Sequence, residues 1–265
     1  MVSTSALVMM AIDAILGFAV PVALAWWMVK KYNVNIRTIL IGAGVFIVFA
    51  LVLEPILHQI VLKGPHGSAI MGNAWYYALY GGLAAGVFEE TGRFLGMKFL
   101  LKKEPTDAKT PVAYGIGHGG TEMLIIFGIS MISNLVMSSL INNGQADTIL
   151  ATVPAEASAQ VQTQFEQLQA LTAGTLFLGL WERISALILQ VGLSVMVWTA
   201  VRKNRLWLFP MAILLHFVVD ACAVVMAKSA VSTLSIEVII FCMSLAVGAI
   251  AWMLARKLLA AEVLP

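Results

Sequence analysis

The sequence predicts an all-α membrane protein, a polytopic bundle of about seven transmembrane helices with its N-terminus outside and its C-terminus in the cytoplasm. Three observations predict it. The 265-residue chain is 60% hydrophobic and only 11% charged, with a mean hydropathy of +0.92, whereas soluble domains carry roughly 25% charged residues. Apolar stretches of about 20 residues, the length that crosses a bilayer, recur along the chain. The cations between them alternate in number from one connection to the next.

Seven spans are read at 6–29, 38–62, 74–101, 112–141, 171–200, 207–227 and 231–255. The first begins without a basic region and carries Asp13, so it reads as a retained helix and not a cleaved signal. Lys30, Lys31 and Arg37 follow it, and Lys63 alone follows the second. Lys98, Lys102, Lys103 and Lys109 gather around the connection after the third span. No cation occurs between Lys109 and Arg183. Arg202, Lys203 and Arg205 follow the fifth span, Lys228 the sixth, and Arg256 with Lys257 the seventh. Twelve cations thus fall on one side and two on the other, with Arg93 and Arg183 inside spans. The positive-inside rule orients the chain accordingly. Trp26, Trp27 and Trp207 read as interfacial anchors. The reading is one transmembrane domain over 1–265, in the cell membrane, with an extracytoplasmic loop at 142–170. That loop is Ala/Gln/Ser/Thr-rich, with residues 155–170 able to form a polar surface helix, and is expected as a solvated linker, a lid or substrate-gating role being the alternative. Cys222 and Cys242 lie in apolar segments and read as packing residues, not as a disulfide or a redox pair.

Charge inside the spans carries the functional argument. A charged residue at the bilayer centre costs about 2.5–3.5 kcal/mol on insertion scales. Yet Asp13, Glu54, Glu89, Glu90, Glu122, Glu182 and Asp220 all lie in spans, opposed only by Arg93 and Arg183. Fully ionised, with neutral histidines, that interior would hold −5, which low dielectric opposes unless protons or cations compensate. Residues three or four apart share a helix face. Glu89 and Glu90 precede Arg93; His118 precedes Glu122; His216 precedes Asp220; Glu54 precedes His58. At about 1.5 Å per residue, the first three motifs reach similar depth, while Glu54 and His58 lie nearer the outer end of their span. Glu182 with Arg183 reads as a structural ion pair, and Asp13 as a lone polar contact to another span or a residue near the outer surface. Gly115, Gly117, Gly119 and Gly120 surround His118, either for close helix approach or to leave backbone N–H groups near the site.

At Glu89-Glu90-Thr-Gly-Arg93, His118-Gly-Gly-Thr-Glu122 and His216-Phe-Val-Val-Asp220, the chain resembles the YhfC family of intramembrane proteases. More distantly it is similar to the CAAX-protease/bacteriocin-processing and PrsW-type families. Its Arg stands three residues after the second Glu, where the CAAX-type pattern has four, and its last motif ends in Asp where that pattern commonly has Asn. The resemblance implies peptide-bond hydrolysis in or beside the membrane. Glu89 or Glu90 would activate water, with Arg93 orienting the pair. His118 and His216 would position the water or stabilise the oxyanion. Asp220 would orient His216, and Glu122 would orient His118 or act as a ligand. Either no cofactor is needed, or zinc is held by His118, His216 and Glu90, although His-Glu-x-x-His is absent. Expected partners are lipids and a peptide or membrane-protein substrate, with no nucleic acid. A proton- or cation-coupled transporter is the rival, since buried acid and imidazole chains also relay protons; the odd span count and lack of a repeat weigh against it.

Overall fold

The structure is a computed structural model that describes residues 1–260; residues 261–265, the end of the expected domain, lie outside the described residues. Among the described residues the regular structure is entirely helical. The helices are α1 (Thr4–Tyr32), α2 (Ile36–Val48), α3 (Glu54–Leu62), α4 (Gly67–Gly72), α5 (Ala74–Leu95), α6 (Lys109–Glu122), α7 (Ser130–Asn142), α8 (Ala146–Thr152), α9 (Ala155–Ala170), α10 (Ala173–Arg202), α11 (Leu208–Ala227) and α12 (Thr233–Ala260). Wider π-helical turns at Phe49–Leu53, Gly96–Leu100 and Met123–Ile129 join α2 to α3, extend α5, and join α6 to α7. The first precedes Pro55, which has no N–H to give to a regular helical ladder, so a locally widened turn carries the chain past it.

Among the described residues, six helical stretches are long and apolar enough to cross a membrane: Thr4–Tyr32, Ile36–Leu62, Lys109–Asn142, Ala173–Arg202, Leu208–Ala227 and Thr233–Lys257. The third expected span, 74–101, coincides with the 22-residue α5, which is not one of the six. It is set apart because Glu89, Glu90 and Arg93 dilute its apolar character. The chain is a multi-pass membrane helix protein. In α10 the most apolar window is 72% buried, against 22–28% in the other five spans. That helix is therefore surrounded by protein, while the others turn large apolar side chains such as Val22, Ile60 and Trp252 outward.

The chain divides into two compact units. The first comprises Met1–Val20 and Met123–Arg183. Its core is Val2, Ala6, Met10, Ile141, Phe165, Leu168 and Leu176. The Val2 backbone is tied to the Asn142 side chain by two hydrogen bonds of 2.7 and 2.9 Å. The segment expected as a solvated linker is helical here: α9 buries Phe165 and Leu168 in that core. An i, i+3 apolar pair in an otherwise polar stretch was too sparse a pattern to predict docking. Asp13 is fully buried, and among the described residues neither carboxyl oxygen has a hydrogen-bond partner, so the expected polar contact is not formed there by hydrogen bonding. Arg183 pairs with Glu182, as expected of a structural ion pair.

The second unit comprises Pro21–Glu122 and the described residues from Ile184 onward. Its core includes Val45, Met97, Tyr114, Leu193, Trp198 and Ala212. Here α2 lies directly against α6, and α5 against α11. Glycines set the first contact. A Cβ on Gly117 would stand 2.0 Å from the Ile39 carbonyl oxygen, and one on Gly42 would stand 2.2 Å from that of Tyr114. On another face of α6, a Cβ on Gly115 would meet Val191 Cα at 2.7 Å and one on Gly119 would meet Gln190 Cβ at 2.8 Å. The glycine collar around His118 therefore serves close backbone approach on two faces. Gly117→Ala should destabilise the protein by about 1–3 kcal/mol through overpacking against rigid backbone. Thermal unfolding in detergent checks this; Gly44→Ala, with nothing within 4 Å of the added carbon, is the control.

Candidate active site

Three helices bring the acid and imidazole motifs together. On α5, adjacent Glu89 and Glu90 point about 100° apart, so the two carboxylates address different neighbours. Gly86 and Gly82 lie one and two turns before Glu90 and admit α11 closely. A Cβ on Gly86 would stand 3.0 Å from the Ile213 carbonyl oxygen, and one on Gly82 would stand 2.9 Å from that of Phe217. His216 is thereby brought to Glu90, and its Nδ1 lies 2.8 Å from Glu90 Oε1. The same oxygen accepts from Arg93 Nη1. Glu89 turns toward α6 instead, where its Oε2 accepts from His118 Nε2 at 2.8 Å. His216 Nε2 lies 3.5 Å from Asp220 Oδ2. Phe46 meets the His118 ring edge-on at 5.2 Å, and Tyr114 stacks at 6.3 Å.

Gln190 on α10 joins these pairs, and sequence reasoning missed it. Its Nε2 donates to Glu89 Oε2 and to Glu122 Oε2, each at 2.9 Å, while its Oε1 accepts from Arg93 Nη2. One continuous array results: His118, Glu89, Gln190, Arg93, Glu90, His216 and Asp220, with Glu122 joined at Gln190. All seven residues singled out from the sequence belong to it. Two roles differ from expectation. His118 finds its carboxylate in Glu89, and Glu122 is met by the Gln190 amide, because α10 lies against α6 at Gly119. Arg93 is hydrogen-bonded to Glu90 directly, is linked to Glu89 by hydrogen bonds through Gln190, and acts on Glu89 electrostatically as well. A Gln with no charged residue one turn away gives no acid or imidazole spacing signal; its one visible mark was an amide in the middle of an apolar span.

Burial grades across the array. Glu90 and Arg93 side chains are 0% exposed, Glu89 is 9% and Asp220 is 35%. Asp220 therefore marks the accessible end. The second polar cluster lies on the same unit: Glu54 Oε1 is 3.2 Å from His58 Nε2, and His58 Nδ1 is 2.8 Å from the Tyr80 hydroxyl. Glu54 interacts electrostatically with Glu89, His216 and Asp220, so it is less separate than its position along the span suggested.

A polytopic helical membrane protein with carboxylates, imidazoles and a guanidinium joined in its interior has the makings of an intramembrane hydrolase. The comparisons place it more closely. The family model described as YhfC intramembrane metalloprotease matches residues 16–241. The chain is 36% identical over 242 residues to a Bacillus subtilis (strain 168) protein described as uncharacterized membrane protein YhfC, covering 91% of this chain and 93% of that one. The chain belongs to the YhfC family, a family of intramembrane proteases. No solved structure matches it.

The family description implies a metal, and the donor types, imidazole and carboxylate, suit zinc. Their arrangement does not. Among the described residues no three His, Cys, Asp or Glu side chains form a group that could hold a metal ion. The expected triad of His118, His216 and Glu90 is divided, since Glu90 meets His216 while His118 meets Glu89.

Proposed function

We propose that the protein is an intramembrane endopeptidase in which Glu89 activates the hydrolytic water. The observation that supports Glu89 over Glu90 is how each carboxylate is used. Glu90 is sealed, and its Oε1 is shared by Arg93 and His216. The hydrogen bonds of Glu89 among the described residues fall on Oε2, and its side chain keeps some access. Oε1 of Glu89 is thus the oxygen available to a water molecule.

In this reading Glu89 takes a proton from water as the water oxygen bonds to the scissile carbonyl carbon. The tetrahedral oxyanion is stabilised by the Nε2–H of His216, whose Nδ1 is held by Glu90 and whose Nε2 lies at the longer distance of 3.5 Å from Asp220. Collapse breaks the C–N bond, and Glu89 returns its proton to the leaving amine. The products are a carboxylate and an amine. His118 keeps Glu89 in place through its 2.8 Å bond. Arg93 supplies a fixed positive charge that offsets the buried acids. No step is routed through a metal.

The test is cleavage by the purified full-length protein in detergent, with quench-labelled casein as the probe. Hydrolysis that survives removal of metals by 1,10-phenanthroline is expected. Loss of cleavage on chelation, restored by zinc, would replace the glutamate mechanism with the zinc-dependent reading that the family description favours. Ion flux in vesicles without any hydrolysis would favour the transporter.

A further inference from the structure

We infer that Gln190 is a positioning residue for the proposed reaction: its neutral amide pins Oε2 of Glu89 and thereby presents Oε1 to water. The inference rests on Glu89 being the base and adds the residue that makes it one. Gln190 is 3% exposed on α10, the most enclosed span. Its three neighbours define both its chemistry and its orientation. Two are carboxylates, which accept, and one is a guanidinium, which only donates. An amide has two donors on one end and an acceptor on the other, and here Nε2 faces Glu89 and Glu122 while Oε1 faces Arg93. Turning the amide over would aim its oxygen at two carboxylates and its N–H groups at the guanidinium, so one orientation alone is satisfied.

The backbone is arranged to deliver this side chain. Gly119, the residue after His118, has no room for a Cβ because Gln190 Cβ lies 2.8 Å from where it would stand. Ser194 donates to the Gln190 carbonyl oxygen at 2.7 Å, one turn further along α10. With His118 Nε2 at 2.8 Å and Gln190 Nε2 at 2.9 Å, Oε2 of Glu89 holds two donors from two different helices. That fixes the carboxylate plane. Other residues fit the space but not the network. Leucine removes all three bonds. Glutamate keeps the bond to Arg93 but, when ionised, donates to neither carboxylate.

Turnover of the casein probe and infrared spectroscopy test this together. Gln190→Leu and Gln190→Glu should each lower kcat about tenfold or more while KM changes less than about twofold. The Glu89 carboxylate band, taken as the difference between protein and Glu89→Gln variant, should shift in a Gln190→Leu background. A double variant separates positioning from mere cohesion. Glu122→Gln combined with Gln190→Glu restores the charge count and a hydrogen bond between these two positions, but no donor for Glu89. Its thermal stability should recover and its kcat should not. Recovery of kcat along with stability, or an unshifted Glu89 band in Gln190→Leu, overturns the inference. An uncleaved probe with the parent protein overturns the reaction itself, so the two failures read out separately.

Discussion

Glu89→Gln should abolish peptide cleavage, lowering kcat by about a thousandfold or more, while leaving the fold intact. General acid–base catalysis by a positioned side chain contributes about 10²–10⁴-fold, and in the proposed reaction Glu89 both takes the water proton and returns it to the leaving amine. An amide cannot carry that proton. It can, however, keep the local hydrogen bonding, since its oxygen accepts from His118 or Gln190 as the carboxylate does. The fold should therefore survive, which helical content and thermal unfolding in detergent will report. Glu90→Gln is the informative contrast. Glu90 lies behind His216 and against Arg93, so its loss should disturb stability and oxyanion binding more than proton transfer. Wild-type turnover in Glu89→Gln would remove that residue from the mechanism, whatever Glu90→Gln does.

The membrane class and the three motifs were legible because each rests on a local rule. Apolar length marks a span, and a spacing of three or four residues marks a shared face. Glu90 with Arg93 and His216 with Asp220 are contacts of that kind. Contacts between helices are another matter. The division of labour between Glu89 and Glu90 depends on which neighbour each meets across α6 and α11, and adjacent identical residues carry no sign of it. The pairing of Glu122 with Gln190 follows from the close approach of α6 to α10 at Gly119, and that of His118 with Glu89 from a contact between α6 and α5. The glycines were visible, but the partner helix was not. In α5 the acids that signalled function also reduced the apolar signal of the span carrying them. The docking of α9 was hidden for the opposite reason, since two apolar residues in a polar stretch sufficed.

Arg93→Met should be the most destabilising single change in the site, costing about 3–5 kcal/mol, because removing one partner of a buried ion pair leaves the other charge uncompensated. Arg93 and Glu90 are both fully buried, and the guanidinium is divided between Glu90 and the Gln190 oxygen. Its loss strands Glu90, whose Oε2 already lacks a hydrogen-bond partner among the described residues, and removes the acceptor-side restraint on Gln190. Arg93→Lys keeps the charge but not the planar fork that serves two acceptors at once, so it should recover only part of the loss. The decisive variant is Glu90→Met with Arg93→Met. Replacing both members of a buried pair with apolar groups of similar volume is often neutral or stabilising, so thermal stability in detergent should return toward that of the parent. Cleavage should not return, because His216 no longer has the carboxylate that holds its Nδ1. Equal instability of the single and double variants would mean that Arg93 acts through something other than compensation of Glu90. Full activity in the double variant would mean that His216 needs no such support, and the oxyanion role assigned to it would fall.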